Sequence, residues 1–389
     1  MPTQGVPITG SVLAWARAES GLSQSELAES LKVDQDEVES WERGTALPGR
    51  GNFSKLAKVL ERPSAIFFLP EPPTRSAVPT SFRNAPGLSD HLLGKDEIRW
   101  IRRSRRLQDL LSWVQQDSGA EPVSLPTAAP GRTLETIVQE IRELLAVPVE
   151  TQLDWDSAGD AFRGWRSALE NVGVVVLQLS LGKKGIRGFS AWDDFAPLVA
   201  VNTAYRPTAR IFTLFHEVGH LLRRDDAACL RFMRPGDAEA GIERWCERFS
   251  ANLLMPSEAL AEVAGRYGVA PVAPVPDVRT ARLISQQFHV SARAGSLRLQ
   301  ELGLAPKGFY GRVESELATL DWNKGGGGGG GGGSPPAPEK RLGEVGTRTA
   351  SILVEASQRR RLSRLDLADY LRLNTSQLDD LQSLLADAG

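Results

Sequence analysis

The sequence predicts a mainly helical α+β protein: a five-helix bundle containing a helix-turn-helix over residues 1–70, then a small α+β domain with a helical C-terminal part. Three observations predict it. Short helical patterns with cap residues fill the first 70 positions, two β-branched runs (GVVVLQLS and APLVAVN) lie near the middle, and helical periodicity returns after them and continues to the end.

The 389 residues suffice for two or three domains with their own cores. A composition 41% apolar and 24% charged is that of a globular protein, and a net charge of −2 exerts no global pull on nucleic acid or acidic lipid. Any nucleic-acid contact must therefore be local. No apolar run reaches the length of a bilayer span, and MPTQGVPITG lacks the basic and apolar regions of a secretory signal. Cys229 and Cys246 do not make a disulfide framework, which fits a reducing compartment. These features predict a cytoplasmic protein without a membrane partner.

Taken in order, SVLAWARAES is the first helix, and SQSELAES opens the second on Ser23 as N-cap with Glu26 completing a capping box. DQDEVESWER is stopped by Gly44, FSKLAKVL follows, and SAIFFL ends in the proline-rich PEPP. Residues 71–131 read as a proline-rich connector and a basic helix, KDEIRWIRRSRRLQDLLSWVQ, whose Arg99, Arg102, Arg103 and Arg106 share a face. That face either lies along another helix or contacts phosphates. Residues 132–322 form the next domain, with helices in TLETIVQEIRELL and AFRGWRSALENVG and two strands joined by the glycine-rich GKKGIRGFS. The helix IFTLFHEVGHLL comes next, then GIERWCERFSANLLMP and two helices within ARLISQQFHVSARAGSLRLQELGL. Nine glycines, Gly325–Gly333, mark a flexible linker over 323–340, because such a tract has no apolar surface to bury. Residues 341–389 are expected to be a helical segment docking on the body.

The chemistry concentrates on one helical turn. Only 4 histidines occur, and two of them, His216 and His220, bracket Glu217. Helical residues four apart are rotated by about 40° and raised by about 6 Å, so both imidazoles can grip one ion. Glu217 is turned away by about 100° and is placed to take a proton from water. A catalytic zinc commonly has three protein ligands, so the third must come from another element. GIERWCERFSANLLMP supplies a stripe of Glu239, Glu243 and Glu247, one to bind metal and another to orient a histidine, with Cys246 as a softer alternative. Zinc is the default ion, while two histidines and a carboxylate also suit manganese or iron.

The runs VAVNTAYRPTARIFTLFHEVGHLL and ERWCERFSANLLMP resemble the ImmA/IrrE metallopeptidase family, over roughly 132–304. The resemblance implies a zincin-like fold and a zinc-dependent endopeptidase, with His216, His220 and Glu243 as metal ligands and Glu217 as general base. Glu247 stands where the family commonly has Asn, and Ser250 where it has Ala, so Glu247 stays an alternative ligand or an orienting group. No motif marks the donor for a developing oxyanion; Tyr205 and the arginines near it are the candidates.

The segment GLSQSELAESLKVDQDEVESWERG is similar to helix-turn-helix domains of Cro and phage-repressor type. That likeness makes DQDEVESW the recognition helix and Gln24, Gln35, Ser40 and Arg43 the DNA-facing candidates. Its charge argues against it, since Asp34, Asp36, Glu37, Glu39 and Glu42 stand where phosphates would approach. Either Arg17, Lys32, Arg50, Lys55 or the arginine-rich helix compensates, or the scaffold recognises protein. Together the two resemblances imply a regulatory endopeptidase that cleaves a cognate repressor or antitoxin-like protein, its N-terminal domain finding DNA or the partner. The alternative is a transcriptional regulator or antitoxin whose metal domain senses or stabilises without proteolysis. An intact Glu217 favours the peptidase, because a purely structural site has no use for a base there.

Overall fold

Capping chemistry sets the N-terminal helices: α1 (Gly10–Glu19), α2 (Gln24–Leu31), α3 (Gln35–Glu42) and α4 (Arg50–Val59). Ser23 caps α2 by accepting from the Glu26 amide while the Glu26 side chain accepts from the Ser23 amide, the reciprocal pair expected of a capping box. The fifth element is a short 3-10 helix, Ser64–Phe68, where the sequence predicts an α-helix. Leu13, Leu27, Leu31, Val38, Leu56 and Phe67 form a core of their own, all fully buried.

This computed structural model describes residues 5–20, 22–60, 62, 64–72, 95–129, 131–183, 185–224, 237–319 and 335–387. Most of the proline-rich connector, His91, Cys229 and the glycine tract lie outside the described residues. The chain divides into two compact units, the helices just named with residues up to Arg105, and a second running from Arg106 onward. The long helix α5 (Lys95–Asp117) contributes to both. In the first unit its Arg102 is buried, donating from Nη1 to Ser20 Oγ at 2.5 Å and from Nη2 to the Leu60 carbonyl. In the second unit Arg106 pairs with Asp369 at 3.2 Å. These two arginines of the stripe therefore serve tertiary contacts along other helices.

The second unit continues with α6 (Leu134–Leu145), α7 (Val149–Leu153), α8 (Ala158–Asn171), β1 (Val175–Leu179), β2 (Gly188–Ala191) and β3 (Leu198–Asn202). The sheet order is β1-β3-β2, with β1 parallel and β2 antiparallel to β3. β2 differs from the sequence expectation, which has this stretch as connection. A four-residue run beginning with glycine gives no alternation to read, and only pairing with β3 makes it a strand. Helix α9 (Pro207–Arg223) starts on Pro207, packs on β2 and β3, and is buried at every residue from Thr213 to Leu222. A helix apolar nearly all round belongs inside a core. Around it stand α8, with Trp165 edge-on to Phe215 at 4.8 Å, and α10 (Asp237–Leu254).

Then come α11 (Ser257–Arg266), α12 (Val278–Gln287), α13 (Ala292–Glu301) and α14 (Phe309–Thr319), which extend the same core. The last helices are α15 (Ala337–Val345), α16 (Thr347–Gln358), α17 (Arg364–Leu371) and α18 (Thr375–Asp387). α15 packs against β1, and the buried Arg166 of α8 donates to the Gly343 carbonyl at 2.7 Å. No described helix is long and apolar enough to cross a membrane.

Candidate metal centre

The centre begins with a close approach of two helices. Gly219, inside the HEVGH turn, faces α10 so tightly that a Cβ there would lie 3.2 Å from both Cβ and Sγ of Cys246. Glycine lets α9 and α10 come together, and α10 then delivers Glu243 to the histidines. His216 and His220 are 1% and 7% exposed, with Nε2 atoms 3.3 Å apart. Glu243 closes the triangle, its Oε2 3.0 Å from His216 Nε2 and its Oε1 3.4 Å from His220 Nε2. Among the described residues these three form the group that could hold a metal ion.

The separations test the fit of such an ion. Ligand atoms about 2.0–2.1 Å from a tetrahedral zinc lie about 3.3 Å from each other, close to the three observed distances. Two neutral imidazoles and a carboxylate are also the donor types such an ion takes. Burial would lift the Glu243 carboxyl, but hydrogen bonds from His216 and His220, with their charge, hold it well below the usual carboxylate range. Burial would lower the His220 imidazole, yet contacts with Cys246 and Glu243 hold it well above its ordinary value. Glu243 is 41% exposed on its side chain, so the group meets solvent on the α10 side.

Glu217 is fully buried, and its Oε2 accepts from Ser190 Oγ at 3.0 Å. Ser190 belongs to β2 and is itself 2% exposed. Gly188, also on β2, makes room for α9: a Cβ there would meet the Ala200 carbonyl and Thr213 Cγ2 at 2.7 Å and Glu217 Cγ at 3.3 Å. Sequence reasoning misses Ser190 and Gly188, because nothing local marks β2 as a strand. Gly219 is legible in principle, as a glycine inside an apolar helix asks for a packing reason.

The remaining candidates fall elsewhere. Glu247 is exposed one turn beyond Glu243 and outside the cluster, and the side chain of Glu239 lies outside the described residues. Cys246 is buried against His220, and burial pushes its thiol up. Tyr205 is engaged with the β1–β2 loop, donating toward the Lys183 and Gly185 carbonyls at 3.2 and 3.1 Å. In the helix-turn-helix, Gln24 Nε2 donates to Glu42 Oε2 at 2.8 Å, and Glu42 also takes Arg17 Nε at 2.6 Å. Gln35 is exposed, Ser40 Oγ donates to the Glu37 carbonyl at 2.7 Å, and Arg43 pairs with Glu39.

In comparison with known proteins, residues 169–300 match the model of the IrrE N-terminal-like domain (Peptidase M78), and residues 13–67 match a helix-turn-helix model. The radiation response metalloprotease IrrE of Deinococcus radiodurans is 28% identical over 186 residues, 46% of this chain and 51% of that protein. IrrE of Deinococcus deserti is 28% identical over 138 residues, 34% of this chain and 45% of that protein. The chain thus spans about half the length of the curated relatives it matches. A solved Bacillus thuringiensis PlcR, in complex with the peptide PapR7 and DNA, aligns with 98% of this chain and 94% of that one. At 14% identity and a TM-score of 0.16 it bears on neither fold nor ligand. The chain thus carries, within a mainly helical α+β fold, a segment at 13–67 that matches a helix-turn-helix model and a segment at 169–300 that matches the IrrE N-terminal-like model.

Proposed function

We propose that the chain is a zinc-dependent, selective endopeptidase that cleaves a repressor or antitoxin-like regulator, with the N-terminal domain recruiting DNA or that partner. The observation that carries the reading is the triangle of His216, His220 and Glu243 beside a buried Glu217. His216 Nε2, His220 Nε2 and the Glu243 carboxylate would hold the ion; zinc is the default for this donor set, which also admits manganese or iron. Such an ion supplies Lewis acidity toward a peptide carbonyl and makes a nearby water more acidic. The Glu217 carboxylate takes that proton and returns it to the departing amine. Ser190 donates to Glu217 and fixes the direction in which the carboxylate faces.

The test uses purified full-length protein, zinc and a candidate repressor or antitoxin-like protein as substrate, compared with Glu217→Gln. Cleavage by the parent alone is the expected result; equal cleavage by both removes the peptidase reading. No cleavage by either protein, with metal bound, moves the weight to a regulator whose metal domain senses or stabilises.

A further inference from the structure

Two segments far apart in the chain repeat one another. LSQSELAESLKVDQDEV (22–38) and LSRLDLADYLRLNTSQL (362–378) align without a gap, sharing Leu, Ser, Leu, Ala and Leu at matching positions. Acids match acids at Glu26 and Asp366 and at Glu29 and Asp369, and a basic residue follows the last shared leucine in each, Lys32 and Arg372.

The backbone repeats as well. Ser23 accepts from the Glu26 amide at 3.2 Å and Ser363 from the Asp366 amide at 3.1 Å. α2 ends on Lys32 at φ 59° and α17 on Arg372 at φ 54°, both left-handed. The Val33 amide then donates to the Ala28 carbonyl at 3.1 Å, and the Leu373 amide to the Ala368 carbonyl at 2.9 Å. A second helix follows each turn, and Leu27, Ala28, Leu31 and Val38 are buried in one copy as Leu367, Ala368, Leu371 and Leu378 are in the other. The preceding helices agree too, with Leu13 and Ala16 matched by the buried Leu353 and Ala356.

We propose that residues 347–387 are a second helix-turn-helix module and that this module binds duplex DNA, with α18 as its groove helix. Charge separates the two copies. Residues 359–382 hold five arginines against four acids, whereas residues 19–42 hold one lysine against eight acids. Phosphate neutralisation dominates affinity for duplex DNA, so the C-terminal copy is the one that phosphates can approach. Of these arginines, Arg364 opens α17 and Arg372 caps its end, on the helix that in a helix-turn-helix crosses the phosphates while the second enters the major groove; Arg359 and Arg361 precede α17 and pair with Glu355 and Asp117. Arg364 is the first residue of α17, in the place Gln24 holds in α2, and donates to the carbonyl of Thr375, the first residue of α18, at 3.0 Å. It also pairs with Asp379. On α18, Thr375, Ser376, Asp379, Asp380 and Ser383 form an exposed edge, with hydroxyls suited to base edges and carboxylates able to accept from a cytosine amino group. A protein ligand is less favoured by this polar edge.

The test is fluorescence anisotropy of the full-length protein with a labelled mixed-sequence duplex, across a salt series. The pair Arg364→Ala and Arg372→Ala is expected to weaken binding roughly tenfold or more at low salt and to reduce the salt slope by about 2. Ser376→Asp should weaken binding similarly; an acid in the first turn favours the helix, so that loss cannot be assigned to unfolding. Unchanged affinity and slope in both variants overturn the proposal. So does a loss confined to Arg43→Ala, which places the contact in the N-terminal module. Tail variants that change only sedimentation, and not duplex binding, also overturn it by assigning the face to a second copy of the chain.

Discussion

At the scale of single residues, Gly219 sits at a close approach of α9 and α10 beside the metal centre. A methyl group added at this position would press against Cys246, and overpacking of this kind costs about 1–3 kcal/mol. Because the strain falls between α9 and α10, Gly219→Ala should weaken zinc binding by at least roughly tenfold, measured by competition with a chromophoric chelator. A variant that binds zinc as tightly as the parent would show that the helices can part without moving Glu243. Ser190→Ala removes a hydrogen bond to a buried carboxylate, worth about 2 kcal/mol. The expected outcome is a lower kcat and a displaced acidic limb of the pH profile, with metal content unchanged. His289 offers a pH test remote from the metal. Burial lowers its imidazole below the ordinary value near 6.5, so the unfolded chain binds the extra proton more readily than the fold does. Stability should therefore be full above about pH 6.5 and fall as the pH drops through that value toward the lowered folded one. His289 has φ 54°, a left-handed conformation that asparagine tolerates, so His289→Asn should flatten this slope in denaturant titrations across that range.

At the scale of elements, β2 shows why part of the site is unreadable in the sequence. The HEVGH turn declares itself through composition and spacing alone, since two of four histidines one turn apart have no common bland explanation. Ser190 carries no such mark: serine in a short glycine-led stretch reads as connection until β3 supplies its partner. The C-terminal helices and their docking on the body are expected from the sequence, whereas the contacts that hold them are not. The docking depends on Arg166, which pairs with Glu170 at 2.7 Å within α8 and donates to the Val176 and Gly343 carbonyls, both at 2.7 Å. Replacing one partner of a buried pair strands the other, at a cost of about 3–5 kcal/mol. Arg166→Ala should accordingly destabilise the second unit by about that much in urea unfolding, more than Arg166→Ala with Glu170→Gln together.

At the scale of the whole molecule, two units with separate cores should respond differently to metal removal. A ligand present at about a thousandfold its dissociation constant stabilises the fold that binds it by about 4 kcal/mol. Chelation of the zinc-loaded protein should lower the calorimetric transition of the second unit and leave the N-terminal helical transition in place. A shift of both, or of neither, would contradict a metal held within the second unit alone. The sequence by itself determined the helices, their caps, the two histidines with their glutamate, and the helix-turn-helix at the N-terminus, because these follow from spacing along one segment. Only the tertiary structure decided which glutamate meets the histidines, what holds Glu217, and which contacts hold the C-terminal helices to β1 and α8. Those outcomes depend on contacts between segments far apart in the chain, whose free energy comes from burial and exists only once the core has closed.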